Sequence, residues 1–581
     1  MRHANFQQRS MEASFDVVIV GAGSAGCAIA NRLSADGRIR VCLVEAGRDF
    51  PPGDEPTDIL DSYAGNAYVN ADYRWKNIVV GLNGARPGTA RKRTYEQGCL
   101  VGGTSSINGQ VAVRGASADY DSWAALGAKG WGWADVEPYF IRLEKDLDFH
   151  GDRHGDAGAI PIRRIPRAKW DPLSSATAEA LSAQGFGNID DLNGPYVEGY
   201  GSLPISNANS RRVSAAIGYL GRSVRDRSNL TILSQTQVER IQIDQGIATG
   251  IVIAGADGRA NVINGRHIVV SAGVMNSPKL LMLSGIGDPA ELAAQSLGVN
   301  AALTGVGRNL QDHPAISFSA YLPSRARFNP TVRRHSYINF RYSSGIPDCP
   351  DVDMVMNPVS RSAWHPLGSR LATFQFFVGK PFSRGQVKLA SPCFADAAEI
   401  DMNFLSDRRD CLRLMDAMKR GARLVKAEDI RRVAFDAFPS SYTPAVQKIG
   451  AKTFANRLAT VAGAMLMDSP SVVRRAFIKS AITRGLTLDG LVADERELED
   501  YVRDNVSVGW HACGTCRMGA PDDPQAVVDP SGNVRDVQRL WVGDASIMPE
   551  IPRANINIST IMIGEKISDH IRAAIMQELV P

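Results

Sequence analysis

The fold is decided by residues 15–47, FDVVIVGAGSAGCAIANRLSADGRIRVCLVEAG. They begin with a short apolar run, VVIV at 17–20, which is typical of a strand buried on both faces of a parallel sheet. The turn GAGSAG at 21–26 follows directly and opens a helix. In this G-x-G-x-x-G spacing Gly21 permits a tight turn, Gly23 lets a pyrophosphate approach the backbone, and Gly26 lets the helix pack closely on the strand. The N-terminus of that helix attracts negative charge.

A second strand and a carboxylate complete the pattern. Residues 40–44 form another mainly apolar run, and Glu45 follows it, nineteen residues after Gly26. A carboxylate at this position binds the ribose hydroxyls of a dinucleotide. A solvent-exposed surface acid is the alternative interpretation of Glu45. The glycines alone are weak evidence, but strand, glycine turn, helix, strand and acid in this order predict a dinucleotide-binding site.

The composition is that of an ordinary globular protein. The chain has 581 residues, 44% of them hydrophobic and 22% charged, so two domains or one elaborated α/β body are expected. The formal net charge of +4 gives no indication of nucleic-acid binding. We find no apolar run long enough to span a membrane and no apolar core of a secretory signal. Eight scattered cysteines do not form a disulfide framework, so we expect a cytoplasmic protein.

A second strand–turn–helix unit returns to the first sheet after a long detour. HIVVSA at 267–272 predicts a buried strand, and a helix begins at NSP, 276–278. Further strands are predicted between 230 and 253, with a hairpin turn at Asp257-Gly258, and one helix is predicted over 119–145. A strand at 540–542 and a helix from about 559 end the chain.

Between about 316 and 410 the pattern changes to that of antiparallel strands, which predicts a second domain. We therefore predict an α/β fold with two domains. The first is a Rossmann-like dinucleotide-binding domain of residues 11–165, 225–315 and 505–581. The second is a substrate-binding domain built on an antiparallel sheet, of residues 166–224 and 316–504.

The tail of the chain holds WHACGTCRMG at 510–519, GDASIMP at 543–549 and PRANIN at 552–557. A histidine is more often a satisfied core or surface residue, but small neighbours, the adjacent Trp510 and the following amide side chains favour His511 as a base. Cys513 and Cys516 have the spacing of a redox pair or half a zinc site. Because no second pair exists, packing is favoured and no metal site is predicted. His313, in NLQDHP at 309–314, is interpreted as structural.

Four blocks resemble the glucose–methanol–choline (GMC) oxidoreductase family of flavoenzymes, and the resemblance runs from residue 15 to about 575. They are the glycine turn with Glu45, the segment GCLVGGTSSINGQVAVRG at 98–115, the segment GVMNSP at 273–278 with GIG at 285–287, and the pair of His511 and Asn555. The resemblance implies the GMC fold and FAD rather than NAD, which the glycine turn alone leaves open. Because Ile107 stands where some members carry a flavin-linking histidine, we expect non-covalent FAD.

The resemblance also implies which residues bind FAD. The glycine turn and Glu45 would meet the ADP half, Val238 the adenine side, and residues 108–111 the flavin ring. Asp544 and the start of the last helix would approach the flavin pyrimidine. The full implied set is Gly21, Gly23, Ser24, Ala25, Gly26, Glu45, Ala46, Trp75, Gly103, Asn108, Gly109, Val111, Val238, Trp510, Asp544, Ala545 and Asn555.

The activity implied is the oxidation of a primary alcohol to its aldehyde. His511 would accept the hydroxyl proton and Asn555 would hold the oxygen, while the hydride passes to flavin N5. Together with YEQG at 95–98, this pair most resembles members that act on furanic and aryl alcohols with oxygen as acceptor. Trp510 and Phe377 are expected to line the substrate pocket, although some phenylalanines of 374–377 belong to the core. The alternatives are a choline-type dehydrogenase with a quinone acceptor, a pyridoxine oxidase, and a non-redox lyase that keeps its flavin.

Overall fold

The computed structural model describes residues 14–82, 91–254, 260–327 and 331–579. The first residues of the predicted dinucleotide domain, 11–13, and the predicted turn at Asp257-Gly258 lie outside these ranges. Within the described ranges, no helix combines the length and the apolar character that crossing a bilayer requires.

The first sheet has seven strands and is parallel at its centre, as the apolar runs predict. Phe15–Val20 lies between Val41–Val44 and the long strand Ala260–Val270, and it runs parallel to both. The alignment of Val17 with Val41 and with His267 brings the carboxyl ends of the three strands to one edge. The outer strands are Leu230–Leu233 beside Val41–Val44, Leu540–Val542 beside Ala260–Val270, and the antiparallel Ile247–Ala254 and Val238–Asp244.

A six-stranded antiparallel sheet forms the second large layer. In spatial order its strands are Phe435–Ser440, Ala315–Tyr321, Leu371–Val378, Met354–Val359, Ile338–Tyr342 and Gly199–Ser202. The antiparallel sheet predicted for residues 316–410 is therefore present, with its edge strands supplied from outside that stretch.

Three smaller sheets join the parts of the chain. One contains Gln386–Lys388, Glu399–Asp401, Val79–Gly81 and Lys92–Thr94; another contains Glu144–Asp146, Ile160–Arg163, Ile205–Ala208 and Arg211–Arg212; the last pairs Ile286–Gly287 with Ala301–Ala302. The first two combine strands from both predicted domains, so the domain limits stay a prediction.

The helices surround these sheets. The longer ones are Ser24–Ser34, Ser117–Ala125, Trp133–Leu143, Pro172–Ala183, Asn276–Leu283, Arg408–Leu424, Phe454–Met467, Glu495–Asn505 and Asn557–Leu579. The shorter ones are Thr57–Leu60, Gly65–Tyr68, Ala215–Tyr219, Arg222–Arg225, Pro289–Ala294, Glu428–Val433, Pro444–Gly450, Ser471–Phe477 and Leu488–Ala493. Single 3₁₀ or π turns occur at Ala71–Tyr73, Gly103–Ser106, Arg167–Lys169, Ser324–Ala326, Gly368–Arg370, Ile478–Ile482 and Ala545–Ile547.

The single helix predicted over 119–145 is wrong. The structure has two helices there, Ser117–Ala125 and Trp133–Leu143. The intervening sequence, LGAKGWG at 126–132, contains three glycines, and glycine is a poor helix former.

The two ends of the chain pack against each other. The terminal helix Asn557–Leu579 lies on the first helix Ser24–Ser34, and a Cβ atom at Gly564 would be 2.7 Å from the carbonyl oxygen of Ala25. Arg32 on the first helix donates to the fully buried carboxylate of Glu565, with an Nε–Oε2 distance of 2.7 Å. The glycine turn near the head and the His511 segment in the tail are thereby held in one body.

Candidate active site

A large cavity of about 1360 Å³ lies in the described part of the chain. It starts at the carboxyl ends of the parallel strands, where Val20 and Val44 line it. It extends to the face of the antiparallel sheet, where Thr373, Gln375 and Phe377 line it. Pockets for ordinary small ligands measure about 300–1,000 Å³, so this cavity has room for a dinucleotide with a further small molecule.

The structure brings nearly all the sequence-predicted site residues to this cavity. Gly26 is the exception: it lies behind the wall, where a Cβ atom would overlap the carbonyl oxygen of Gly21, so it serves the close packing of helix on strand. The predicted residues that line the cavity are Gly21, Gly23, Ser24, Ala25, Glu45, Ala46, Trp75, Gly103, Asn108, Gly109, Val111, Val238, Phe377, Trp510, His511, Asp544, Ala545 and Asn555.

Two glycine-rich turns face each other at the sheet end of the cavity. Gly21 has φ +103°, and a Cβ there would overlap the carbonyl oxygen of Ser271. Gly103 has φ +52°, and its Cβ would be 2.8 Å from the Cα of Gly23. A Cβ at Gly23 itself would meet nothing nearer than the carbonyl oxygen of Ser271 at 4.0 Å, so its open side faces free space. These turns form a bare-backbone cradle of the kind that a pyrophosphate needs.

Glu45 lies where the ribose of a dinucleotide is expected. Its carboxylate accepts hydrogen bonds from the backbone N–H groups of Ala22, at 2.9 Å, and Gly47, at 2.8 Å. Burial raises the pKa of this carboxyl to about 7. Two backbone donors fix its direction, which a solvent-exposed surface acid would not require.

Asp544 joins the second strand–turn–helix unit to the tail. Its Oδ2 accepts from the Gly273 N–H at 2.9 Å and from the Ser277 hydroxyl at 2.6 Å. On the opposite side of the glycine turn, the Ser24 hydroxyl donates to Asn557 Oδ1 at 2.8 Å. The three sequence blocks are therefore bonded to one another around the cavity, which fits a long cofactor that touches all of them.

The catalytic candidates His511 and Asn555 are in direct contact. Asn555 Nδ2 lies 2.8 Å from His511 Nε2, and His313 Nδ1 lies 3.0 Å from His511 Nδ1. The other nitrogen of His313, Nε2, lies 3.1 Å from the carbonyl oxygen of Pro552. Four groups thus form one hydrogen-bonded chain that ends at the cavity.

This chain determines which nitrogen of His511 carries the proton. A carbonyl only accepts, so His313 Nε2 donates to Pro552 and, in the neutral ring, His313 Nδ1 is an acceptor. His511 Nδ1 must then donate to it, which leaves His511 Nε2 with a lone pair. The amide Nδ2 of Asn555 can only donate, so it independently requires the same tautomer. The unprotonated nitrogen of His511 therefore lies at the cavity, where it accepts from the Asn555 amide.

Burial keeps both rings neutral. It lowers the pKa of His511 well below its usual range, with a further contribution from the neighbouring His313. Burial likewise lowers the pKa of His313 to about 4. Behind them Asp312 accepts from the backbone N–H of His511 at 2.8 Å and from the Tyr95 hydroxyl at 3.2 Å. The histidine segment is thus fixed by its backbone as well as by its ring.

Aromatic side chains form the wall beside His511. Trp510 has φ +60°, a rare conformation for a bulky residue, and its indole Nε1 donates to Glu96 Oε2 at 2.8 Å. The rings of Tyr68 and Tyr442 each lie edge-on to Trp510, with centroids 5.9 Å apart. The ring centroid of Phe377 lies 6.4 Å from that of His511. This wall suits a planar ligand.

An internal cation already occupies this wall. The Arg93 guanidinium lies 4.6 Å from the ring centroid of Tyr442 and 5.1 Å from that of Trp510. Its Nη2 also donates to Glu96 Oε2 at 3.2 Å. Glu96, Arg93 and both tyrosines were not assigned roles from the sequence, where only YEQG at 95–98 gave a signal.

Several expectations for other residues have definite outcomes in the structure. His313, which we interpreted as structural, contacts His511 directly. Phe374 and Phe376 belong to the core, at 0% and 2% exposure, because they occupy the strand face opposite Phe377. The two cysteines of the C-x-x-C segment, Cys513 and Cys516, are buried free thiols.

One cluster outside the cavity has the residue types of a metal site. Glu144, Asp146 and His154 place ligand atoms within 4.8 Å of one another. Arg114 Nη2 donates to Glu144 Oε1 at 2.5 Å, and Arg164 Nη1 donates to Asp146 Oδ2 at 2.8 Å. Because each carboxylate is already paired with a guanidinium, the group is an ion-pair cluster.

Comparison with known proteins agrees with this geometry. Family models described as GMC oxidoreductase match residues 15–315 and 381–564. A 5-(hydroxymethyl)furfural oxidase from Methylovorus sp. (strain MP688) is 38% identical over 575 residues, covering 96% of this chain and 98% of that protein. An oxygen-dependent choline dehydrogenase from Rhizobium etli is 33% identical over 587 residues, covering 96% and 95%.

A solved structure shows the same likeness. The crystal structure of pyridoxine 4-oxidase from Mesorbium loti is 26% identical, with a TM-score of 0.78 over 96% of this chain and 99% of that one. The chain described here therefore belongs to the GMC oxidoreductase family of FAD-dependent enzymes.

Proposed function

We propose that this GMC oxidoreductase oxidises a primary alcohol with an aromatic or furanic ring to the aldehyde, with oxygen as the electron acceptor. The observation that carries the proposal is the lone pair of His511 Nε2 at the cavity wall, 2.8 Å from the Asn555 amide. An alcohol hydroxyl that replaces this hydrogen bond would donate to the base and accept from the Asn555 amide.

Each side chain has a distinct task. FAD, held by the glycine turns, Glu45 and Asp544, would supply the acceptor for the hydride of the carbinol carbon. His511 Nε2 accepts the hydroxyl proton, and the Asn555 amide donates to the substrate oxygen. His511 then carries a positive charge next to the oxygen, which stabilises the alkoxide as it forms. His313 accepts from His511 Nδ1 throughout, so the ring keeps its orientation.

FAD is expected to be bound without a covalent link. Ile107 lines the cavity at the position where a flavin-linking histidine would stand, and an aliphatic side chain forms no such bond. The glycine turns, Glu45 and Asp544 would hold the cofactor by backbone and carboxylate contacts. Release of all flavin on acid precipitation is the expected result, and flavin retained on the precipitated chain would contradict it.

The wall beside His511 favours a neutral planar substrate. Three aromatic rings around a carboxylate would also suit a quaternary ammonium group, as in a choline-type alcohol. Here Arg93 occupies the faces of Tyr442 and Trp510 and pairs with Glu96. A second cation would be repelled, so a neutral ring is preferred. The relation to a 5-(hydroxymethyl)furfural oxidase supports the same substrate class.

The test uses the purified, FAD-loaded protein without oxygen. It is mixed with 5-(hydroxymethyl)furfural, benzyl alcohol, pyridoxine or choline, and loss of the oxidised-flavin absorbance is followed. Fast bleaching by the first two, and slower bleaching by choline, is expected. Faster bleaching by choline would contradict the substrate class, and no bleaching by any alcohol would support a non-redox lyase.

Admission of air to the reduced protein tests the acceptor. Prompt return of the oxidised spectrum with formation of peroxide supports oxygen. A reduced flavin that persists in air and is reoxidised by a quinone would instead make the protein a dehydrogenase.

We also propose that the protein works in the reducing cytoplasm. All eight cysteines are free thiols, and five of them are buried: Cys27, Cys42, Cys411, Cys513 and Cys516. A protein of an oxidising compartment more often pairs its cysteines. Localisation of a tagged chain by cell fractionation checks this proposal, and recovery from the secreted fraction would contradict it.

A further inference from the structure

Exposed apolar side chains are concentrated in one part of the surface. Of the 15 large apolar residues that the described structure exposes, nine lie between residues 446 and 486. The most exposed are Val472 at 78%, Phe454 at 77% and Met465 at 68%. Single exposed apolar residues need no explanation, but such a concentration marks an interaction surface.

Eight of the nine lie on consecutive helices that contact one another, Pro444–Gly450, Phe454–Met467 and Ser471–Phe477, and Leu486 follows them. The middle helix turns Thr460, Gly463, Ala464 and Met467 inward, where all four are buried. Its outward side carries Phe454, Leu458 and Met465. We name Phe454, Leu458, Met465, Val472 and Val473 the apolar helical surface.

The same segment is strongly basic. Residues 444–487 contain seven lysines and arginines and a single acid, Asp468, whereas the whole chain has a net charge of only +4. That acid is already paired with Arg327 and Arg370. Among the basic residues, Lys448, Lys452, Arg457, Lys479 and Arg484 are exposed, whereas Arg474 and Arg475 pair with Asp436. An apolar centre with a basic rim is complementary to a lipid surface that carries negative headgroups.

The cavity opens beside this surface. Val446, Ile449 and Leu486 are exposed apolar residues of the segment and also line the cavity. Arg484 belongs to both the rim and the cavity lining. A molecule that covers the apolar helical surface therefore also faces the entrance to the site.

We propose that the apolar helical surface seats the enzyme on an anionic membrane surface. Phe454, Leu458, Met465 and Val472 would enter the boundary between headgroups and acyl chains, while the lysines and arginines around them meet lipid phosphates. The protein lies on the bilayer and does not span it. Its cavity then opens towards the lipid, so that alcohols dissolved in the membrane reach His511 without returning to water.

The test is co-sedimentation of the FAD-loaded full chain with vesicles. Phosphatidylglycerol mixed with phosphatidylcholine supplies the anionic surface, and pure phosphatidylcholine is the neutral comparison. Binding to the anionic vesicles that weakens with added salt is expected. Equal binding to both vesicle types, or binding to neither, would overturn the proposal.

A pair of double variants makes the test specific to this surface. F454S/V472S removes two apolar side chains that do not line the cavity, and V197S/V299S is the matched control at positions 48% and 49% exposed elsewhere. The first pair should weaken vesicle binding by at least about tenfold, since it removes two apolar side chains from the lipid contact. The control should bind as the unchanged protein does. Equal loss in both would overturn the proposal.

Two further measurements distinguish lipid binding from a failure of the proposed activity and from dimer formation. Both double variants should reduce their flavin with benzyl alcohol at the unchanged rate, so a failure of lipid binding is distinguishable from a failure of the proposed activity. If the unchanged protein is a dimer in light scattering and F454S/V472S is a monomer, the surface joins two copies and the lipid proposal is wrong.

Discussion

The contact between His313 and His511 gives the sharpest prediction. If His313 fixes the tautomer of His511, the rate of flavin reduction depends on the hydrogen bond that His313 Nδ1 accepts more than on the size of the His313 side chain. His313→Gln keeps an acceptor for His511 Nδ1–H and a donor for the Pro552 carbonyl. His313→Leu is apolar and supplies neither, so the buried N–H of His511 and the Pro552 oxygen lose their partners.

The size of the effect follows from the cost of one orphaned buried donor. Such a group costs roughly 1–3 kcal/mol. In His313→Leu the tautomer with an unprotonated Nε2 carries that cost at its Nδ1–H. The competing tautomer, which cannot accept a proton at Nε2, is then populated more, although the Asn555 amide still opposes it. At about 1.36 kcal/mol per tenfold in rate, flavin reduction should slow by roughly 5- to 150-fold. His313→Gln should stay within about threefold of the unchanged rate, because both hydrogen bonds persist.

The assay is the rate of flavin reduction by benzyl alcohol at saturating concentration, measured in a stopped-flow instrument without oxygen. FAD content and melting temperature are measured on the same samples, so that loss of cofactor or fold is not mistaken for loss of the base. Unchanged reduction in His313→Leu would refute the argument. So would equal slowing in both variants, because bulk and not hydrogen bonding would then explain the effect.

Three further predictions concern the glycine turns at the cavity, the aromatic wall beside His511 and the carboxyl group of Asp312. Gly103→Ala should purify without FAD, because its Cβ would lie only 2.8 Å from the Cα of Gly23. Gly37→Ala is the control: its Cβ would meet nothing within 4 Å, so this variant should keep a full flavin spectrum. Equal FAD content in the two variants would contradict the assignment of the glycine turns to FAD binding. Arg93→Gln should raise the ratio of kcat/KM for choline to that for benzyl alcohol, since it removes a positive charge and uncovers two ring faces for a cation. An unchanged or lower ratio would contradict the argument that Arg93 excludes a second cation. Burial raises the pKa of Asp312 from 3.8 to about 7, so this carboxyl makes the folded protein less stable as the pH rises across that window. The difference in melting temperature, Asp312→Asn minus the unchanged protein, should therefore increase as the pH rises from 3.8 to about 7. A difference that stays constant with pH would contradict the raised pKa of Asp312.

Local sequence was sufficient for the head of the fold. The predicted strand, helix and second strand appear as Phe15–Val20, Ser24–Ser34 and Val41–Val44. Each has its signal within a few residues: an apolar run, a glycine turn, a helical spacing of small and aliphatic side chains. The α/β fold with an antiparallel second sheet is confirmed for the same reason, because strand periodicity is a local property.

Long-range contacts were the part that the sequence could not supply. His313 and His511 are 198 residues apart, and only the packing of two loops brings their Nδ1 atoms to 3.0 Å. The interpretation of His313 as structural considered its own turn and not its neighbours in space. The resemblance to a family supplied His511 and Asn555, but not the hydrogen bonds that orient them.

Trp510 and Phe377 were expected at the pocket wall and line the cavity, but the side chains that contact Trp510 were missed for a related reason. Arg93 and Glu96 lie three residues apart and their pairing has a local signal, but Trp510 and Tyr442 reach them from distant segments. The prediction of one helix over 119–145 overlooked the three glycines between 126 and 132, which separate the two helices of the structure.

The most direct measurement of the central claim compares the unchanged protein with His511→Ala, both loaded with FAD and mixed with an aromatic alcohol in the absence of oxygen. We expect equal FAD content and a rate of flavin reduction that falls by roughly 10²- to 10⁴-fold when the base is removed. Equal rates in the two proteins would show that His511 does not accept the hydroxyl proton.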